Sequence, residues 1–229
     1  MIEYTHIVVL IEDKSGEILV EKILQKYADG DSNFSYDIKS FKGLGKIPCK
    51  KGNFSAIKSG RLLTDLPQYL RGYDASLKQM VCQKAIFVIL DRDDSDCALL
   101  KASLLEMYDN LNLSIKVFFC IAVEEMEAWL LGDENAVLTA FSSAKLSLLH
   151  KYENDSIIGT WERLADIVYP GGVRQLKRDA GAYYGIGKFK CDCAEKIGSV
   201  MDIRHNMSPS FNYFISKLDC VCQNNENIL

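Results

Sequence analysis

The chain has 229 residues, 48% of them hydrophobic and 25% charged, with a formal net charge of −4. That composition suits a folded domain with a sizeable core and excludes a disordered or low-complexity polymer. The acidic balance excludes a molecule-wide basic field for nucleic acid, and the longest apolar stretch, around 115–123, is broken by Lys116 and is too short to span a bilayer.

The first element is "THIVVLI" (5–11), β-branched and apolar throughout, as in a strand covered on both faces. It begins without a basic leader, so the expectation is a cytoplasmic protein with no signal peptide and no membrane partner. Residues 15–28 carry apolar side chains at 18, 19, 23, 24 and 27, a helical stripe, with Ser15 as the expected N-cap. "FSYDIKSF" (34–41) alternates like a strand. Residues 42–60, rich in glycine and lysine, read as a long loop. "RLLTDLPQYLRGY" (61–73) is helical, with Pro67 expected to limit its first part. "AIFVIL" (85–90) is a second buried strand, "CALLKASLLEMYDNL" (97–111) an amphipathic helix, and "SIKVFFCIAV" (114–123) another strand. "EEMEAWLLGD" then turns to helix and stops near Gly132. This rhythm predicts an α/β fold with a mostly parallel sheet flanked by helices over residues 1–132. Residues 133–229 read as a helical C-terminal part packed on that sheet, the two forming one compact unit. The eight cysteines read as reduced thiols, because the C-x-C pairs 191/193 and 220/222 lack the two-to-four-residue spacing typical of zinc ligands.

Ligands of open α/β sheets bind beyond the carboxyl ends of the strands, and three acidic clusters fall there. Glu12-Asp13 follows the first strand; Asp91, Asp93, Asp94 and Asp96 follow "AIFVIL"; Glu124, Glu125 and Glu127 follow "VFFCIAV". One such cluster is ordinary turn chemistry. Three on one sheet edge would repel unless a cation joins them, and carboxylate oxygens suit Mg²⁺ or Mn²⁺. Asp91, Asp93 and Glu12 are the candidate catalytic and metal-binding residues, with Glu127 as a further ligand. The cup they form is expected to be free of protein cations. Lys42 and Lys46, in the glycine-bearing loop, and Lys188, Lys190 and Arg204, from the helical part, are candidate phosphate contacts. Gly43 and Gly45 would let backbone amides approach a phosphate. Trp129 reads as core.

"VLIEDKSGE" followed later by "VILDRDD" resembles the TOPRIM superfamily, whose pattern is a glutamate after the first strand and Asp-x-Asp after a later one. Glu12 matches the glutamate, and Asp91 and Asp93 match the Asp-x-Asp. More narrowly, "FKGLGKIP", "LPQYLRGY", "VILDRDDSDC", "IAVEEMEAWLLGD" and "MSPSFNYF" resemble a TOPRIM-like domain-of-unknown-function family, number 4276, related to overcoming-lysogenization-defect nuclease domains. The resemblance implies a TOPRIM-like, Rossmann-like fold and a Mg²⁺- or Mn²⁺-dependent nuclease acting on DNA or RNA. It also implies an AAA/ABC-type ATPase partner in phage defence, and is compatible with a homo-oligomer. Two positions depart from the pattern: Asp13 stands where Glu-Gly is common, and Gly16 where the related nucleases carry a second acid.

Other readings of the same acids stand beside it. A receiver- or phosphatase-like domain would use Asp91 as phospho-acceptor. A non-catalytic subunit would use the acidic rim to dock an ATPase.

Overall fold

The computed structural model describes residues 4–29, 33–48, 59–91, 97–156, 159–181 and 183–223. The chain runs β1 (Thr5–Ile11), α1 (Lys14–Ala28), β2 (Phe34–Ser40), α2 (Leu62–Leu77), β3 (Gln83–Asp91), α3 (Cys97–Leu111) and β4 (Lys116–Ala122). Helices follow: α4 (Glu127–Leu131), α5 (Glu134–Ala140), α6 (Leu146–Leu149), α7 (Thr160–Val168), α8 (Gly172–Ala180), α9 (Tyr183–Val200) and α10 (Pro209–Cys222).

The four strands form one all-parallel sheet in the order β2-β1-β3-β4. Period-two alternation sends the unbroken apolar runs to both faces. Ile7, Val9 and Ile11 of β1, with Ala85, Phe87 and Ile89 of β3, face a core shared with α1, α4 and the C-terminal helices. Val8, Leu10, Ile86, Val88 and Leu90 face α2 and α3. Each fully buried side chain of this kind contributes about 1.5–3 kcal/mol. Right-handed crossovers account for this division: β1 to β2 moves one way across the sheet, and β2 to β3 and β3 to β4 move the other way. The strand order therefore reverses between β1 and β3, and their carboxyl ends open a crevice.

The C-terminal helices cover the first face. Phe214 of α10 meets Phe87 edge-on at 5.6 Å and stacks on Trp129 at 5.3 Å. Trp129 is wholly buried and donates its indole N–H to Ser210 Oγ at 2.9 Å. Asn206 donates to the Trp129 carbonyl at 2.8 Å, and a Cβ on Gly132 would fall 2.0 Å from Asn206 Oδ1. "EMEAWLLGD" and "SPSF" are thus two halves of one buried joint.

Two local expectations are corrected. The N-cap of α1 is Asp13, whose Oδ1 accepts from the Gly16 amide at 2.8 Å, while the Ser15 hydroxyl donates to Asp13 Oδ2. Asp13 is the first residue after the strand able to reach that amide. Pro67 does not limit its helix: α2 runs through it to Leu77. The proline is buried beside Leu63, Leu66 and Leu70, and that packing offsets the one backbone bond its ring removes.

Candidate functional site

Parallel pairing sets Ile11 opposite Ile89. Glu12 and Asp91 consequently emerge side by side at the crevice, and Glu12 Oε2 lies 3.4 Å from the Asp91 amide. Asp91 has the parity of Ile89 and Phe87, so its side chain turns to the face covered by α4 and α9. The residue keeps partial exposure, yet its Oδ1 is closed off from solvent and has no hydrogen-bond partner among the described residues. Burial, then the Glu127 and Glu12 carboxylates, push its pKa well above the usual carboxylate range, with Lys190 partly opposing. Asp93 lies outside the described residues.

The third acidic cluster arrives through a strained turn. Glu124 is buried with φ of 80°, a left-handed conformation costly for a non-glycine residue. Beyond it, Glu127 begins α4 and is 2% exposed. Burial lifts its carboxyl to about 7, with Glu125 and Asp13 adding to the rise and Lys190 opposing it.

Lys190 of α9 enters this cup. Its Nζ lies 3.2 Å from Glu127 Oε2 and 3.7 Å from Glu125 Oε1. Burial alone would lower its pKa; Glu127, Glu125 and Asp91 override that and hold the ammonium charged. The expectation of a cup without protein cations is thereby corrected. Lys190 neutralises the Glu125–Glu127 side by charge; Glu127 Oε2 and Asp91 Oδ1 are both buried without a hydrogen bond of good geometry, but among the described residues no cation lies within ion-pair distance of Asp91. Glu125, not among the candidate site residues, ties the cup to α7: its Oε2 also accepts from Thr160 Oγ1 and the Trp161 amide, each at 3.0 Å. Its position immediately after the strand's acidic turn was the available signal.

The other candidate cations separate. Lys42 and Lys46 are exposed on the loop leaving β2, on the rim of the crevice. The Gly43 amide donates to the Glu12 carbonyl at 3.1 Å. Gly45, at φ of 73°, would place a Cβ 2.6 Å from Thr64 Oγ1. These glycines seat the loop on β1 and α2, so the Gly43 amide is engaged by protein and not offered to a phosphate. Lys188 pairs with Asp192 at 2.5 Å on the surface of α9. Arg204 bonds Asp219 at 2.8 Å and covers the Tyr27 ring in the last turn of α1, at the sheet's amino end.

Gly16 has a spatial explanation. A Cβ there would meet Ile11 Cδ1 at 2.7 Å and Asp13 Oδ1 at 3.2 Å, so a larger residue would require the Ile11 side chain and the Asp13 cap to shift. Glu17 turns instead to the Ser40 hydroxyl and to Lys14. Burial raises its pKa, but those partners outweigh it and hold the carboxyl below the usual range.

Among the described residues no group of three or more His, Cys, Asp or Glu side chains could hold a metal ion. Cys82, Cys120, Cys191 and Cys193 are free thiols, and no helix among the described residues is long and apolar enough to cross a membrane. Comparisons with protein-family models, with curated proteins and with solved structures find no match to this chain.

Proposed function

We propose that the chain is a TOPRIM-like, Mg²⁺-dependent phosphodiesterase acting on nucleic acid, the cleaving component of an ATPase-linked phage-defence assembly. The ATPase setting comes from the sequence resemblance alone. The observation that carries the chemistry is Asp91: a carboxylate at the crevice of a parallel sheet, beside Glu12, with a buried oxygen left unsatisfied. A fold retains such a group at a cost to stability, and functional sites are where that cost is met.

The donor set suits a hard cation. Mg²⁺ keeps several waters and takes one or two carboxylates, so Glu12 and Asp91 suffice, with Asp93 next in the motif. When bound, the ion supplies Lewis-acid stabilisation of phosphate charge and an acidified water. The remaining work belongs to this chain's own groups. Glu12 would either complete the ion's ligand set or accept the proton of the attacking water at its carboxylate. Lys190, anchored by Glu125 and Glu127, holds positive charge next to Asp91. In this reading Glu127 anchors that lysine.

The test is a metal titration read by thermal unfolding and by cleavage of labelled DNA and RNA. Millimolar Mg²⁺ or Mn²⁺ should raise the melting temperature of the wild type, by mass action on the native state. Asp91→Ala should lose both the shift and the cleavage. Equal shifts in the two proteins, or cleavage surviving in Asp91→Ala, would refute the assignment. Stable phosphate on Asp91 without cleavage would point to the phospho-acceptor reading.

A further inference from the structure

The helix α8 buries only Gly172 and Leu176 and presents Arg174, Lys177 and Arg178 to solvent. Nearby acids are engaged elsewhere. Asp179 accepts from the Tyr169 hydroxyl at 2.9 Å and from Gln175 Nε2 at 2.7 Å. Asp166 Oδ1 accepts from the Val173 amide at 2.8 Å, and Glu162 faces Lys177 at 3.5 Å. Among the described residues no carboxylate lies within ion-pair distance of Arg174 or Arg178. These two guanidinium groups sit one helical turn apart on one face. In a chain of net charge −4 they form a local, unopposed cationic ridge.

An exposed aromatic adjoins the ridge. Tyr184, in the first turn of α9, is 84% exposed. The end of α8 and the start of α9 touch, since a Cβ on Gly185 would lie 2.6 Å from Ala180 Cα. Tyr184 therefore lies just past the corner at which α8 ends, six residues after Arg178 and one turn before Lys188, with which it interacts. Six residues further along α9, about 9 Å along the helix axis, Lys190 enters the acid cup.

We infer that single-stranded nucleic acid reaches the cup across the α8–α9 corner, its phosphates held by Arg174 and Arg178 and one base stacked on Tyr184. This rests on the phosphodiesterase reading and adds a route and a strand preference to it. Cations that track a backbone, with an aromatic ring open to a base, are the parts list of single-strand binding; a duplex keeps its bases stacked and would use the cations alone.

The experiment measures binding without metal, in EDTA, by fluorescence anisotropy of the full chain with a labelled DNA strand, the matching RNA strand and the DNA duplex. The wild type should bind a single strand more tightly than the duplex; whether DNA or RNA binds better identifies the target. R174E/R178E should weaken single-strand binding by about ten-fold or more, and reduce the salt slope by about 1.4, two phosphate contacts at about 0.7 each. Y184A should weaken single strands by about five-fold or more and leave the duplex unchanged. K78E/K116E, charge changes at the sheet's opposite end, should bind as the wild type does. Circular dichroism should be unchanged in all of them and melting temperature lowered by no more than a few degrees, since every substituted side chain is exposed and such charge changes cost about 0.3–1 kcal/mol each. Wild-type affinity in R174E/R178E, or an equal loss in K78E/K116E, would overturn the inference. If the corner variants bind normally while Asp91→Ala loses cleavage, the route fails and the function stands. If they lose binding but the wild type never cleaves with metal, the route stands and the function fails.

Discussion

Replacing Lys190 with methionine would strip Glu125 and Glu127 of their shared cation, and its cost should depend steeply on pH. Glu127 is 2% exposed and Lys190's side chain 16%, so the pair is buried. Breaking such a pair by removing one member leaves an uncompensated buried charge, at about 3–5 kcal/mol. Burial holds the Glu127 carboxyl at about 7. Its folded pKa is raised above the ordinary value, so its ionisation opposes folding as pH climbs from about 4.5 to about 7. Below that window Glu127 carries a proton, and Lys190 has only Glu125, at 3.7 Å and part exposed, to neutralise. Lys190→Met should then cost less, about 1 kcal/mol, because only the longer contact to Glu125 is left to lose. Above the window the full cost of about 3–5 kcal/mol applies. For a chain of this size each kcal/mol shifts the melting temperature by about 2–4 °C, so the deficit at high pH is about 6–20 °C. Urea unfolding followed by tryptophan fluorescence, at pH values on either side of the window, measures both costs. An equal cost at both, or none at the higher pH, would refute the ion-pair argument.

Asp91→Asn, without metal and at neutral pH, should raise stability by about 1–3 kcal/mol in urea unfolding, because the wild-type fold must either bury a charge crowded by Glu127 and Glu12 or take up a proton; the gain should vanish below the ordinary aspartate pKa. The same variant should lose cleavage, an exchange of function for stability that an unchanged unfolding midpoint would contradict. Ser210→Ala should cost about 1–3 kcal/mol by leaving the buried Trp129 N–H without an acceptor. Near-UV circular dichroism of the tryptophan should change with it, and a melting curve that overlays the wild type would argue against the joint.

The strands β1 and β3 were legible because β1 and the 85–90 run of β3 are fully buried, and burial on both faces writes itself as an unbroken apolar run. Helix α3 was legible to its ends because its pattern is local. The acids of the site were legible as residues that follow strands. Ser15 and Pro67 were misjudged for one shared reason. A cap or a break read from propensity assumes the helix stands alone, whereas here the reach of Asp13 and the packing around Pro67 decided.

The sequence by itself determined the alternation of elements, the parallel sheet and the placing of carboxylates at strand ends, because each is written in periodicity over a few neighbouring residues. Only the tertiary structure decided that β1 and β3 lie side by side, so that Glu12 meets Asp91, and that α9 brings Lys190 rather than Lys188 or Arg204 into the cup. Strand order and helix docking depend on how whole faces bury against one another. No local pattern records which lysine of a distant helix will be turned inward when they do.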